Sequence, residues 1–99
     1  MSDNCMVFVV HGALDLANAP SLLTRGRRAI GSCGRLAVDL EDVDVLDAIG
    51  IGVLLGLRKA AKDSGADFVL VAASAAVSAS LEAHEVDRLF ATHTRSSSP

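Results

Sequence analysis

"VDVLDAIGIGVLLGL", residues 43–57, decides the fold. Its first half is acidic and its second half is apolar and glycine-rich. Asp47, Ala48, Ile49 and Gly50 stand at the junction. Past the junction, Val53, Leu54, Leu57, Ala60 and Ala61 recur at the spacing that lines one face of a helix. This predicts a helix over residues 50–64. Arg58, Lys59 and Lys62 gather near its end, where cations suit the helix dipole, and Gly65 fits a C-terminal stop. The apolar run of residues 48–57 is half of the ~20 residues that a membrane span needs. Gly52 and Gly56 therefore read as packing positions in a globular helix rather than as a membrane dimer motif.

Working outward, "RLAVDL", residues 35–40, reads as a strand before that helix, with "EDVDVLDAIG", residues 41–50, as the connection. "DFVLVA", residues 67–72, reads as the strand after it. "CMVFVV", residues 5–10, opens the chain as another strand. Gly12, Asp15, Asn18 and Pro20 then signal a turn and a helix start, with Asn18 as the N-cap and Pro20 in the first turn. That helix runs to Ile30, burying Leu22, Leu23, Ala29 and Ile30, with Gly26 allowing close packing on a sheet. Ser74 caps a third helix over residues 75–84, with Val77 and Leu81 inward. "DRLFA", residues 87–91, reads as a short closing strand, and residues 92–99 as a disordered polar tail. Strands alternating with helices imply right-handed crossovers. The expected class is α/β: one domain over residues 1–91, with a small, mostly parallel or mixed sheet of about four strands.

Composition narrows the function. With 51% hydrophobic residues but only three Phe and neither Trp nor Tyr, the core must be aliphatic. Bases of a single-stranded nucleic acid would find few stacking partners. A net charge of −3 argues against a nucleic-acid partner, and the cluster of Arg25, Arg27 and Arg28 reads as the wet side of a helix. The first residues lack the pattern of a secretory signal, so the cytoplasm is the expected location. Cys5 and Cys33 match no zinc spacing and read as reduced thiols. His11, His84 and His93 have no nucleophile in a recognisable elbow beside them. Asp39, Glu41, Asp42, Asp44 and Asp47 lack a calcium-loop pattern and read as a solvated acidic loop. Gly50-Ile51-Gly52 begins a dinucleotide loop, but Leu55 stands where the third glycine is needed, and the strand ends about ten residues earlier. Neither an enzyme, a metal nor a cofactor is expected.

In order and spacing, three blocks resemble the STAS domain, the bacterial anti-sigma factor antagonist family. "VVHGALDLANAPSL" resembles its strand-turn-helix opening, "LAVDLEDVDVLDAIGIGVLLGLRKAAKDSGADFVLVAAS" its central block, and "AVSASLEAHEVDRLF" its closing segment. The resemblance covers residues 7–90. It implies a sheet with helices packed on one side. It also implies a regulatory function in transcription: binding an anti-sigma factor, often a serine kinase of the GHKL type, so that a sigma factor is freed. In the family's Asp-Ser-Ser/Thr-Gly pattern, the hydroxyl residue before the glycine is phosphorylated and the complex is blocked. Here that position is Ile49 and its neighbour is Ala48, while Asp47, Gly50 and Gly52 are kept.

Phosphorylation is therefore not expected at the usual place, because Ile49 has no hydroxyl. Two placements of Ile49 stay open: exposed as an apolar contact, or packed beneath the third helix or an adjacent loop. The expected partner surface comprises Asp44, Asp47, Ala48, Ile49, Gly50, Ile51 and Gly52, with Asp15 and Asn18 in the neighbouring turn. Asp47 would cap or make polar contacts, and Gly50 and Gly52 would allow close approach. Ser74 and Ser78 are the nearest candidates for a displaced switch, and Cys5 with Cys33 for a redox pair in its place. The family's further N-terminal strand has only residues 1–6 to form from, which would leave the first strand as a sheet edge and suggests a weak homodimer. A STAS subunit of another complex, such as a lipid-transport ABC system, is the alternative reading. A small-ligand sensor is a third, although no pocket signature supports it.

Overall fold

In the computed structural model, residues 5–93 are described, with side chains to residue 90. Four strands and three helices alternate: β1 (Cys5–Leu14), α1 (Ala19–Ile30), β2 (Arg35–Leu46), α2 (Ala48–Asp63), β3 (Asp67–Val71), α3 (Ala75–Ala83) and β4 (Ala91–His93). The sheet order is β1-β2-β3-β4 and every pairing is parallel. When each crossover is right-handed and each step moves the same way across the sheet, the helices collect on one face. The packing agrees. Leu36, Val38 and Leu40 of β2 and Phe68 and Leu70 of β3 share one buried cluster with Leu22, Leu54, Leu57, Val77 and Leu81 of the helices. Ala37 and Val69, on the alternate face of the same strands, are buried but stand outside that cluster.

The helix ends follow local chemistry. At the end of α2, Gly65 takes φ +75°. The Ala66 N–H donates to the Ala61 carbonyl at 2.8 Å and the Gly65 N–H to the Lys62 carbonyl at 3.1 Å, which satisfies carbonyls that the helix leaves open. The end of α3 repeats the motif with Glu85 at φ +59°, the Val86 N–H donating to the Leu81 carbonyl at 3.0 Å. Ser74 caps α3 as expected: its Oγ accepts from the Val77 N–H at 3.1 Å.

Several expectations need correction. Strand β2 does not stop at residue 40. It continues through the segment read as an acidic connection and ends at Leu46. Two register shifts against β1 explain the misleading pattern: Val9 pairs Asp39 but His11 pairs Asp42, and Gly12 pairs Val43 but Ala13 pairs Val45. Each shift inserts a residue on β2, so Leu40, Val43 and Leu46 are buried three apart instead of two. Strand β1 likewise runs on to Leu14, past Gly12 at φ +78°. Asp87–Leu89 form a 3-10 turn rather than a strand, and β4 begins at Ala91, so Thr92 and His93 belong to the sheet and not to a tail. The disordered tail predicted beyond them falls on residues 94–99, outside the described residues. Gly26 packs not on the sheet but on α2, where an added Cβ would lie 2.5 Å from a methyl of Leu57.

Candidate partner-binding elbow

The corrected end of β2 turns residues 46–48 into a sharp elbow: Leu46 closes the strand, Asp47 is the single intervening residue, and Ala48 opens α2. The premise that the glycines lie far from a strand end is thus wrong. The dinucleotide reading still fails, since Leu55 stands where the third glycine is needed and the Gly50 amide is already engaged by Asp47. Asp47 is extended (φ −99°, ψ −177°) and its Oδ1 accepts from the Gly50 N–H at 2.9 Å, while its carbonyl accepts from the Ile51 N–H at 2.9 Å. The aspartate therefore has the capping role expected of it.

The first turn of α2 is split by burial. Gly50 and Ile51 face inward, so they support the elbow from beneath and offer no surface to a partner. A Cβ on Gly50 would lie 2.4 Å from the Leu14 carbonyl oxygen, which is why the close approach it permits is internal, onto the end of β1. Ala48, Ile49 and Gly52 face solvent. Of the two placements left open for Ile49, the structure has the exposed one, at 43% of its full area. Asp44 is exposed on β2, and Asp47 is half-buried.

The turn after β1 lies against this elbow through the Leu14–Gly50 approach. It is held by its own polar side chains. The Asp15 Oδ1 accepts from the Ala17 N–H at 3.0 Å and the Asn18 Oδ1 from the Asp15 N–H at 2.9 Å, while the Asn18 Nδ2 donates to the Ala13 carbonyl. Asn18 thus occupies the N-cap position of α1 without capping it, because its side chain reaches back to bind the turn. The rigid turn presents Leu16 at 67% exposure, and β2 presents Val45 at 51%. Neither was foreseen. The signal for Leu16 was a leucine isolated between turn formers, and for Val45 a valine between two aspartates. Leu16, Val45 and Ile49 are thus exposed apolar side chains at this end of the sheet, with Asp15, Asp44 and Asp47 close to them in sequence.

On the far side of β2, α3 locks the elbow in place. The Ser74 Oγ donates to the Val43 carbonyl at 2.6 Å, and the Ser80 Oγ to the Leu46 carbonyl at 2.7 Å. Ser74 is half-buried and doubly engaged, whereas Ser78 is exposed. The cysteines are both free. Cys5 is exposed and shares the alternate strand face with Val7 and Val9, while Cys33 packs against the helix-side core. They lie toward the same end of the sheet but on opposite sides of it, which disfavours a redox pair. Among the described residues, no three His, Cys, Asp or Glu side chains are grouped to hold a metal ion. Among the described residues, no helix is long and apolar enough to cross a membrane.

A four-stranded parallel sheet with helices on one face, joined by a capped elbow between β2 and α2, defines an α/β domain. The chain belongs to the STAS domain family, whose model matches residues 1–98. Solved structures agree on the fold. The anti-sigma factor antagonist SpoIIAA in its unphosphorylated form superposes with a TM-score of 0.79 at 16% identity, over 96% of this chain and 84% of that one. A proposed anti-sigma factor antagonist from Thermotoga maritima gives 0.82 at 21% identity, over 94% and 81%. The STAS domain of a SulP transporter from Vibrio cholerae gives 0.70 at 20% identity, over 94% and 75%.

Proposed function

We propose that this protein is an anti-sigma factor antagonist whose elbow docks on an anti-sigma factor and is not switched by phosphorylation at the family's usual position. The observation that carries the reading is Ile49, an exposed isoleucine on the capped first turn of α2. A phosphate there would add roughly −1.5 to −2 charges to an apolar contact. A residue with no hydroxyl keeps the contact available whatever kinase is present. A few well-packed, desolvated side chains near the centre of an interface carry most of its affinity, and Ile49 is placed to be one of them. Asp15, Asp44 and Asp47 around Leu16, Val45 and Ile49 fit a partner surface with an apolar pocket and a cationic rim.

Affinity capture from the source cells, read by mass spectrometry, tests this. The expected catch is an anti-sigma factor, lost on Ile49→Asp and on Asp47→Lys. Incubation of the catch with ATP should place no phosphate on the elbow. Undiminished capture by both variants would refute the docking site. A phosphate on Ser78 or Ser74 that releases the partner would refute the constitutive reading. A transporter subunit in the catch would move the protein to the other branch of the family, to which the SulP domain belongs.

A further inference from the structure

Among the described residues, strand β1 is one of the two edges of the sheet, with β4 the other, and the groove beside it is charged. A cavity of about 390 Å³ runs along that edge, touching both faces of the strand through Val7, Phe8, Val9 and Val10, with Ser21 and Arg25 of α1 as a wall. A second, of about 350 Å³, continues it toward Met6 between Phe8, Arg25 and Arg28. No carboxylate lines either cavity. Arg25 is held at the groove by its guanidinium, which sits 5.3 Å from the centre of the Phe8 ring. On the strand's other face Val7 and Val9 are 52% and 54% exposed. An unpaired strand edge offers a row of backbone donors and acceptors.

We propose that this edge takes an extended strand from a protein partner, in which acidic residues facing α1 alternate with apolar residues facing the side of Val7 and Val9. Side chains of an added strand point alternately to the two faces. One set would meet Arg25 and Arg28, and the other would extend the valine surface. A second copy of this chain fits less well. Antiparallel β1–β1 pairing about a two-fold axis normal to the sheet puts both α1 helices on the same face, which sets Arg25 and Arg28 against their own copies. The cavity reaches the turn beside the elbow through Leu14 and Asn18, but Arg25, Arg28, Val7 and Val9, which the added strand would meet, belong to α1 and the first half of β1 and not to the elbow.

The test uses the full chain and a fluorescein-labelled peptide of about ten residues alternating glutamate and valine, read by anisotropy. Saturable binding is expected. It should weaken about tenfold or more in the Arg25→Glu, Arg28→Glu double variant, with Arg25→Gln, Arg28→Gln as the gentler pair should the first fail to fold. A lysine analogue of the peptide should not bind. N-methylation of one alternate set of peptide nitrogens should abolish binding and of the other set should spare it, because only one edge of the peptide pairs. Ile49→Asp should leave binding unchanged, which separates this surface from the elbow. Absence of saturation, equal binding of the lysine peptide, indifference to both methylation patterns, or loss on Ile49→Asp would each overturn the proposal. So would dimerisation in sedimentation that excludes the peptide, which would assign the edge to a second copy.

Discussion

The same substitution at two neighbouring glycines should have opposite effects. Gly50→Ala places a methyl 2.4 Å from the Leu14 carbonyl oxygen and 2.8 Å from a methyl of Leu46. The first of these is backbone, so the start of α2 or the end of β1 must move. Overpacking of this kind costs about 1–3 kcal/mol. The move also strains the bond from the Gly50 N–H to Asp47, whose loss as a cap is worth ~1 kcal/mol. Against this, alanine gains at most about 1 kcal/mol over glycine in a helix. The net expectation is a loss of about 1–3 kcal/mol, or a fall in Tm of roughly 4–24 °C for a chain of this size. At Gly52 an added Cβ meets nothing within 4 Å. There only the helix preference acts, and Gly52→Ala should raise stability by up to about 1 kcal/mol. Urea unfolding monitored by circular dichroism measures both, and equal slopes would show that the unfolded states are comparable. Two shifts of the same sign would refute the packing of α2 on β1 from which the elbow's rigidity is argued.

Two further substitutions test the supports of that elbow. Ser74→Ala removes both the α3 cap and the donor to the Val43 carbonyl, and should cost about 1–3 kcal/mol in urea unfolding, a larger loss than Ser78→Ala at an exposed site. Glu85 holds a left-handed backbone at φ +59°, so Glu85→Gly should stabilise the chain by about 1 kcal/mol, seen as a rise in Tm.

The helices were legible because their signals are local. A stripe from Val53 to Ala61 and a glycine at 65 fix α2 without reference to the rest of the chain. The second half of β2 was not legible, for a reason visible in its pairing. Strand β3 pairs β2 only as far as Asp39. Beyond that, β2 has β1 as its strand partner, so Glu41, Asp42 and Asp44 can point to solvent from within a strand. Their charges read as a loop, and the two inserted residues erased the period-two pattern that would have corrected the reading. Asn18 shows a different limit. Its position at the helix start was right, but whether its side chain bonds forward to the helix or back to the turn depends on where the Ala13 carbonyl lies, and that is set by the pairing of the end of β1 with the bulged half of β2.

That error bears on function. A strand ending at residue 40 leaves the junction at the tip of a long acidic loop, where Ile49 would be free to fold inward beneath α3. A strand ending at Leu46 does not allow this. Leu46 is buried, its carbonyl is tied to Ser80, and Gly50 rests on the Leu14 carbonyl. With both flanks fixed, the single residue Asp47 has no slack, and the capped turn must carry Ala48 and Ile49 outward. An isoleucine fixed in the open loses little conformational freedom on binding, since its backbone is already ordered and its branched side chain has few rotamers. The elbow therefore has the physical properties of a preformed anchor. The restriction that made the strand hard to read in the sequence is also what keeps this side chain exposed.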